Sequence, residues 1–582
     1  MLVAPYSRQS SAVSRREAWL SAAAVFAVAL VVRIVAAAAV TFPIPEDTAY
    51  YAGVARNIVE GRGLISDALW SYQTQPLIVP RAAFEIWMPL PSLLEAIPVA
   101  LAGTANWFRA AQVVSVLASS AVAIMAWRLG ADVAAEMQLP AGRARTIGVG
   151  AGLVAAVLGP LVLYGALPDS TALFAALSLG ACLLMTRISA DEGARGAKSA
   201  AGAKSAALAA LGEVHLGGRL VRFDRRLVLL GLLLGLAALA RSDAIWLGLA
   251  WVAVVCVWTP GDRRQRICLI AVPAAVALLI VAPWTARDWL AFGTPLPGQT
   301  LSNALFIHDY DVFAYRDAPS LAGYLAQGPA ALVGAHLAGI VHDLVSVLLI
   351  PAFPVGLVGL LALPWVGRRR TLRPLVLTSG LTFLVTSLAF PVATLSGTFL
   401  HSAGSTFVLL TVCCLVALDG FIVRVGKLRA WTRPVAWLGP AFAIAAIGPL
   451  CVVTVTDIAR QANDVRDRYE ALPAAMARAG APLEGAGPVI TDNPIWLAES
   501  TRAPSLALPE ESPESVLDLA NRFGATLLVV HSDPDREWPG ILSQGGTAAR
   551  CFHEVPLTED SGAKPNEGSA LAGIHVFRIV CP

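Results

Sequence analysis

The stretch WLSAAAVFAVALVVRIVAAAAVTFPIPEDTAYYAGVARNIVEGRG, residues 19–63, contains the two features from which the fold can be argued. Its first part, 19–42, carries one charged residue, Arg33, and exceeds the roughly 20 apolar residues that a bilayer span needs. No small-residue cleavage site follows, so we interpret this run as a membrane span and not as a signal peptide. Two adjacent carboxylates, Glu46 and Asp47, then precede a stripe of apolar residues at helical spacing, which predicts a helix along the membrane surface.

Similar apolar runs recur along most of the 582-residue chain. Only 14% of the residues are charged and the mean hydropathy is +0.66, whereas about a quarter of a soluble protein is charged. The net charge of +3 is too small to indicate nucleic-acid binding. We count eleven spans, at 19–40, 107–127, 147–164, 171–187, 227–241, 244–260, 268–286, 344–366, 375–391, 405–423 and 435–456, with an additional surface helix proposed at 331–343.

The arginine distribution gives an independent prediction of topology. Basic connections occur at 8–16, 128–145, 188–226, 263–266, 368–373 and 424–433, and eleven spans put all of them on one side. Because positive charge is retained in the cytoplasm, we expect a cytoplasmic N-terminus and an extracytoplasmic C-terminus. The composition, rich in alanine and arginine, is typical of a GC-rich bacterial genome, so the plasma membrane of a bacterium is the predicted location.

The chain divides by composition into 1–456, the membrane domain, and 457–582, which is more polar. The second part resembles an α/β unit, with strands predicted at 487–491, 504–508, 525–530 and in two closing segments, CFHEVPL and GIHVFRIV, and helices at 494–500 and 512–523. Cys551 and Cys581 adjoin the closing strands, and a disulfide between them is a hypothesis. The segment 193–213 is of low complexity and is interpreted as a flexible linker.

Five stretches, in this order, resemble the GT-C glycosyltransferases, which use polyprenyl-phosphate sugars. They are EDTAYYAGVARNIVEGRG (46–63), FEIWMPLPSLLEAI with WFRAAQVVSVLASS (84–97 and 107–120), LPDSTALFAALSLGACLL (167–184), GLAALARSDAIWLGLAW (235–251) and APWTARDWLAFGTPLPGQ (282–299). The closest likeness is to bacterial relatives of protein O-mannosyltransferases and to lipid A aminoarabinose transferases. The segment SGTFLHSAGST, 396–406, is similar to the family's late outer turn near the donor.

The resemblance implies an all-α polytopic membrane bundle with surface helices in its first outer loop, followed by a small extracytoplasmic α/β domain. It also implies that Asp47 is the base that accepts the proton of an acceptor hydroxyl. Asp47 is equally a residue type that caps a helix. Relatives often have Asp-Glu in this loop, whereas this chain has Glu46-Asp47-Thr48, so Glu46 is either a helper or a solvated charge. Asp169 either caps the following span or joins Asp47 in binding the acceptor or a divalent cation.

Three arginines are candidates for holding the phosphate of the donor: Arg241, Arg287 and, as a weaker third, Arg109. A guanidinium binds phosphate in bidentate fashion, but an arginine at a span end also reaches the interface for its own hydration, and Asp243 and Asp288 offer local ion pairs. The histidines His308, His336, His342 and His401 show no metal-ligand spacing, and we interpret them as structural. No metal ligand is assigned, although a divalent cation stays open as a cofactor.

These observations predict a glycosyltransferase that moves a hexose or pentose from a polyprenyl-phosphate donor to a hydroxyl of a lipid, glycan or protein acceptor. An outward-facing site has no supply of ATP or sugar nucleotides, so a lipid-linked donor is the natural one. The alternatives are a transporter or flippase for lipid-linked glycans, and a catalytically silent GT-C-like binding protein. A transporter would favour charges within the helices and internal repeats, and the acids of this chain instead cluster in the outer loops.

Overall fold

The fold was analysed in a computed structural model that describes residues 15–200, 211–216, 219–297, 300–432, 435–558 and 569–581. Helices of the first half are α1 (Arg15–Ala39), α2 (Glu46–Val59), α3 (Leu90–Ala102), α4 (Trp107–Glu136), α5 (Ala141–Val157), α6 (Gly159–Ala166), α7 (Ser170–Ala200), α8 (Arg225–Ala240), α9 (Ala244–Trp258) and α10 (Arg263–Phe292). The second half has α11 (Thr300–Asn303), α12 (Leu321–Ala326), α13 (Gly328–Val341), α14 (Val355–Val366), α15 (Arg373–Ala389), α16 (Gly404–Leu428), α17 (Leu438–Arg478), α18 (Pro494–Thr501) and α19 (Pro513–Phe523).

The molecule is an integral membrane protein with many spans. Eight of the described helices are long and apolar enough to cross a bilayer, and α5 with α6 makes a ninth when the bent pair is counted as one span. Helices also form at the predicted spans 227–241 and 244–260, but α8 and α9 have only 16 and 15 residues. They are shorter than the hydrocarbon core of about 30 Å requires, so the long helices give a lower count than the predicted eleven.

The predicted span 344–366 is divided in the structure. Helix α13 continues as a π-helical segment, His342–Leu349, and the chain then turns before α14 begins. Pro351 and Pro354 lie in this turn, and neither can donate a backbone hydrogen bond to continue a helix. The surface helix expected at 331–343 is therefore part of a 22-residue apolar helix, Gly328–Leu349, that is itself long enough to span. Part of the predicted linker, 193–200, is helical, and 201–210 lies outside the described residues.

Arg33 is fully buried within the bundle and stabilises the break between α5 and α6. The two helices meet at 55°, with Leu158 extended and Pro160 in the first turn of α6. The guanidinium of Arg33 donates to the carbonyls of Ala155 (3.1 Å) and Ala156 (3.0 Å), and its Nε donates to Ser119 Oγ (2.7 Å). Backbone groups inside a membrane must be satisfied by the protein itself, and Arg33 supplies the donors that the broken helix lacks.

The C-terminal part contains a six-stranded mixed sheet, which also includes one strand from the loop between α2 and α3. The strands of the molecule are β1 (Ile65–Ser66), β2 (Ala68–Leu69), β3 (Arg81–Ala82), β4 (Leu211–Leu216), β5 (Arg219–Asp224), β6 (Val489–Thr491), β7 (Ser505–Ala507), β8 (Leu527–His531), β9 (Phe552–Val555) and β10 (Ile574–Ile579). The sheet order is β2-β7-β6-β8-β10-β9, parallel from β2 to β8 and antiparallel at β10 and β9.

This sheet confirms the strands and helices predicted beyond residue 486. Its hydrophobic core packs α19 against β6, β7 and β8 through residues such as Val516 and Leu528. Cys551 and Cys581 form a disulfide, as hypothesised. Helix α17 runs unbroken across the predicted boundary at 456/457, so that boundary stays a prediction.

Replacing Arg33 with methionine should destabilise the bundle. The Arg33→Met change leaves the Ala155 and Ala156 carbonyls without their donors, and an unsatisfied buried group costs about 1–3 kcal/mol. The expected result is a lower midpoint of thermal unfolding in detergent. The matched control is Arg16→Met at the exposed start of α1, and equal midpoints for the two variants would contradict the role given to Arg33.

Candidate active site

Asp47 lies in the first turn of α2, which follows α1 after a short connection, 40–45. Pro45 precedes the helix, and no side-chain hydrogen bond caps its start, so Asp47 does not act as the N-cap that its position suggested. Its side chain is 29% exposed, and Trp87 lies beside it. A carboxylate that is free of a capping role and partly open to solvent is accessible to a substrate.

Asp169 immediately precedes α7, and its two carboxylate oxygens have different surroundings. Its Oδ1 accepts hydrogen bonds from the Thr171 backbone N–H (2.6 Å) and the Thr171 hydroxyl (2.5 Å), which is the capping role predicted as one alternative. Its Oδ2 is buried and accepts no hydrogen bond from any described residue. Capping therefore fixes the orientation of Asp169 and leaves one oxygen directed into the interior.

The imidazole of His401 joins the two acids. His401 lies in a short helical turn, Leu400–Ser402, just before α16. Its Nδ1 is 3.4 Å from Asp169 Oδ2 and 3.0 Å from the Thr171 hydroxyl, and its Nε2 is 3.6 Å from Asp47 Oδ2. One ligand atom from each of Asp47, Asp169 and His401 lies within 4.8 Å of the others. We call these three residues the acid–histidine group.

Burial and the charges within the acid–histidine group shift the pKa of each of its three members. Burial raises the pKa of Asp47, and Asp169 adds to this effect while His401 opposes it. Burial also opposes ionisation of Asp169, but His401 and the hydrogen bonds from Thr171 outweigh it and lower the pKa of Asp169 to about 2. Burial favours neutral His401, yet the charges of Asp169 and Asp47 raise its pKa overall. The contacts thus favour a charged Asp169 and a protonated His401, whereas burial favours the neutral form of Asp47.

Arg241 is the predicted phosphate ligand that the structure brings to this group. Its guanidinium donates to Asp243 Oδ2 (3.0 Å), to Ser402 Oγ (3.1 Å), next to His401, and to Ser170 Oγ (3.2 Å), next to Asp169. Its charge acts on the pKa of both Asp47 and His401. The ion pair with Asp243, expected as an alternative, is thus present, and it holds the guanidinium at the edge of the acid–histidine group.

Arg287 and Arg109, the other two candidates, lie outside the acid–histidine group. Arg287 pairs with Asp288 (2.9 Å) and stacks on Trp284, with 4.8 Å between its guanidinium carbon and the ring centroid. Arg109 donates to the backbone carbonyls of Ala37 and Val40 at the end of α1. Neither contact excludes a phosphate, but each arginine already has a local structural role.

Glu46 faces the C-terminal sheet and not the acid–histidine group. Its Oε1 accepts the backbone N–H groups of Ile495 (3.0 Å) and Trp496 (3.2 Å) at the start of α18. Burial raises the pKa of Glu46 to about 8, although these two hydrogen bonds act in the opposite direction. These two hydrogen bonds connect Glu46, the residue directly before Asp47, to the C-terminal part of the chain.

A second contact between α2 and α18 lies about one turn further along α18 and nearly three turns further along α2. Arg56 forms an ion pair with Glu499, and both side chains are buried. The carboxylate of Glu499 fits against Gly53, where an added Cβ would come within 2.1 Å of Glu499 Cδ. The lack of a side chain at Gly53 therefore allows α18 to pack closely on the helix that carries Asp47.

The acid–histidine group fits a divalent cation. Two carboxylates and an imidazole are ligands that such cations accept, and Asp169 Oδ2 is buried without a hydrogen-bond donor. A protonated His401, the form that the two acids favour, would supply positive charge where a cation would otherwise sit. Sequence reasoning assigned no metal ligand and interpreted His401 as structural; the likeness of 396–406 to a turn near the donor was the one signal that pointed to this residue.

Another buried acid near the group was not predicted. Glu95, on α3, has no solvent exposure, and neither of its oxygens has a hydrogen-bond partner in the described part of the chain. Asp169 is close enough to raise the pKa of Glu95, although burial is the larger cause. Only the packing of α3 against α2 and α4 brings this residue near the site, and no local pattern marks it.

Comparison with known proteins shows the fold. No family model and no curated protein sequence matches the chain. The oligosaccharyltransferase of Archaeoglobus fulgidus, solved in complex with Zn and sulfate, is similar in structure over 96% of this chain and 75% of its own, with a TM-score of 0.52 and 12% identity. Its structure with a tethered acceptor peptide gives a TM-score of 0.50 and 13% identity, over 97% of this chain and 76% of its own.

ArnT from Cupriavidus metallidurans, solved with undecaprenyl phosphate, is also similar, at 15% identity and a TM-score of 0.45, over 96% of this chain and 98% of its own. The fold assignment rests on the oligosaccharyltransferase, whose likeness extends over nearly the whole chain. The resemblance to GT-C enzymes indicated by the sequence motifs is therefore confirmed for the fold.

Cation binding at the acid–histidine group should strengthen as pH rises. A cation requires neutral imidazole, and the pKa of His401 lies above its ordinary value of about 6.5. Affinity for Mn²⁺, measured by calorimetry, should therefore increase by up to about tenfold per pH unit until His401 has lost its proton. His401→Asn should flatten this dependence, whereas His308→Asn should not. A His401→Asn protein with the unaltered pH profile would contradict the assignment.

Adding a side chain at Gly53 should loosen the contact between α2 and α18. Gly53→Ala forces Glu499 away from its place beside Arg56, and overpacking of this kind costs about 1–3 kcal/mol. We expect a lower midpoint of thermal unfolding. Gly142→Ala, at a helical position with no atom within 4 Å of the added Cβ, is the control and should be neutral or stabilising. Similar midpoints for both variants would argue against close packing at Gly53.

Proposed function

We propose that the protein is a GT-C-type glycosyltransferase that transfers a sugar from a polyprenyl-phosphate donor to an acceptor hydroxyl on the extracytoplasmic side. The observation that carries this proposal is the juxtaposition of a partly exposed carboxylate, Asp47, with His401, Asp169 and the guanidinium of Arg241. A base and a cation side by side are what transfer from a phosphate leaving group to a hydroxyl requires.

In the proposed reaction Asp47 accepts the proton of the acceptor hydroxyl. The hydroxyl oxygen forms a bond to the anomeric carbon of the sugar as the bond from that carbon to the phosphate oxygen breaks. Polyprenyl phosphate leaves with the bonding electron pair. The raised pKa of Asp47 suits this role, because a base is most effective when its pKa lies closer to the working pH.

Arg241 stabilises the leaving phosphate in this scheme. Its guanidinium is held by Asp243 and Ser402, so it needs little reorganisation when negative charge develops on the phosphate oxygens. Arg287 is assigned to the donor more loosely, as a cation on the aromatic surface of Trp284. Arg109 has no part in this step.

Asp47, Asp169 and His401 would hold a divalent cation if one is used. Such a cation supplies positive charge that polarises a bound oxygen or phosphate. Asp169 has the role of a fixed anion: the Thr171 hydrogen bonds orient it, and its low pKa keeps it charged throughout the physiological range. His401, in its charged form, would hold Asp47 in position when no cation is bound.

The predicted topology belongs to the same proposal. Eleven crossings, with α8 and α9 as short ones and 344–366 as a single crossing, would place the acid–histidine group outside the cytoplasm of a bacterial cell, with the domain 457–582 on the same side. The lipid tail of the donor would lie among the helices while its sugar reaches the acid–histidine group. The acceptor would be a lipid, a glycan or a protein.

Replacing Asp47 with asparagine should abolish most of the transfer. Asp47→Asn removes the base and keeps the shape, and loss of a general base costs about 10² to 10⁴ in rate. The measurement is transfer of radiolabelled sugar from polyprenyl-phosphate donors in membranes from a deletion strain that expresses each variant. The labelled product would also identify donor and acceptor.

The control is Asp309→Asn, which removes an exposed carboxylate on a different loop and should retain full turnover. Unchanged transfer by Asp47→Asn would refute the assignment of the base. Failure of the unmodified protein with every donor, while Mn²⁺ still binds, would favour the alternative of a catalytically silent binding protein.

A further inference from the structure

A cavity of about 460 Å³ opens between α1 and α4 on the outer surface of the bundle. Leu30 and Ile34 of α1 and Val113 and Leu117 of α4 form its apolar walls, and Arg109 lies at one end. Ile34 is 52% exposed and Leu117 50% exposed, so the cavity faces the surroundings of the bundle and not its core. For two membrane-spanning helices those surroundings are lipid. We call this cavity the α1–α4 groove.

The polar end of the groove lies where α1 ends and α4 begins. From Leu30 to Ala38 the wall on α1 is about 12 Å long, at 1.5 Å per residue. One leaflet of the hydrocarbon core is about 15 Å thick. The groove thus has the length of one lipid chain in one leaflet, and its cationic end is at the level of the headgroups.

Arg109 has no acidic partner in the part of the chain that the structure describes. Its contacts are the carbonyls of Ala37, Ala38 and Val40 and the amide of Gln112, all of them uncharged. Arg466 lies near this position, but Asp467, at 2.8 Å, offsets its charge. A guanidinium at a membrane interface whose contacts are all uncharged attracts an anion.

The α1–α4 groove is separate from the acid–histidine group. The backbone N–H of Asp169 points to Ser115 Oγ on α4, at 3.5 Å. Val113 and Leu117 are each two residues from Ser115, so they lie about 200° around the helix from it. Helix α4 therefore has the reaction site on one side and the groove on the other.

We propose that the α1–α4 groove binds a phospholipid with an anionic headgroup, whose phosphate contacts Arg109 and one of whose acyl chains fills the apolar trough. Arg109 would bind a phosphate, as the sequence predicted. The phosphate would belong to a phospholipid and not to the sugar donor, and it would lie outside the reaction site. A phospholipid chain matches the length of the groove, whereas a polyprenyl chain would extend well beyond it. A donor bound here would also hold its phosphate on the far side of α4 from Asp47.

The test is native mass spectrometry of the delipidated full-length protein titrated separately with phosphatidylglycerol, phosphatidylcholine and undecaprenyl phosphate. Phosphatidylglycerol should bind the unmodified protein most tightly. Arg109→Gln, which keeps an amide donor for the carbonyls but removes the charge, should weaken phosphatidylglycerol binding about fivefold, the effect of one cation near a membrane surface. Ala38→Trp should fill the groove and abolish binding. Arg460→Gln removes another surface cation, on α17, and should have no effect.

Arg109→Lys keeps the charge and should bind phosphatidylglycerol as the unmodified protein does, which separates loss of charge from misfolding. Equal affinity for the anionic and zwitterionic phospholipids would overturn the proposal, since it would mean that only bulk lipid contacts the groove. Tighter binding of undecaprenyl phosphate, weakened by Arg109→Gln, would also overturn it and assign the groove to the carrier. Neither outcome depends on glycosyl transfer. Lipid binding in the α1–α4 groove can therefore be refuted without refuting the proposed function, and the reverse also holds.

Discussion

The imidazole of His401 between the carboxylates of Asp47 and Asp169 is the interaction on which the site depends. Two carboxylates this close repel one another, and the repulsion grows where protein excludes water. A single positive charge between them, from a protonated imidazole or from a bound cation, offsets this repulsion. The three residues come from the ends of different helices, so the charge balance also holds together segments that are distant in sequence.

The two acids are not equivalent, because their surroundings differ. Asp169 is fixed by Thr171 at the start of α7, and the hydrogen bonds stabilise its charged form. Asp47 is partly exposed, and it has no comparable donor network. Environments that separate the pKa values of two neighbouring acids assign them different roles. In the proposed reaction these roles are those of a fixed anion for Asp169 and of a base for Asp47.

The C-terminal sheet supports the segment that carries Asp47. Strand β2 of the first loop pairs with β7, Glu46 accepts two hydrogen bonds at the start of α18, and Arg56 pairs with Glu499. These contacts lie on both sides of Asp47 along the chain. The C-terminal part of the chain can thus define the geometry of the acid–histidine group, because it restricts helix α2.

Some of this architecture follows from the sequence because it is encoded by local pattern. Apolar runs must be helices in a bilayer, where each backbone group has to be satisfied within the segment, and alternation of short apolar strands with amphipathic helices indicated the C-terminal sheet. The helix after Pro45 was predictable from its local pattern, but its residues from Thr48 to Asn57 are all buried, so other parts of the chain cover more than its apolar stripe. The count of spans was less accurate, since prolines divide 344–366 and since α8 and α9 are short.

The composition of the site was decided by tertiary packing. The spacing of residues 47, 169 and 401 in the sequence does not match any known motif. A single histidine in a sequence also does not indicate which residues it contacts in the folded protein. The same holds for Glu46, which looked like a second acid of the site and instead caps α18, and for β2, whose two residues become a strand only beside β7. The sequence alone indicated which segments are apolar enough to be candidate spans, because hydrophobicity is a property of each segment. Which side chains meet was decided only by the folded bundle, because contacts depend on helix orientation over the whole chain.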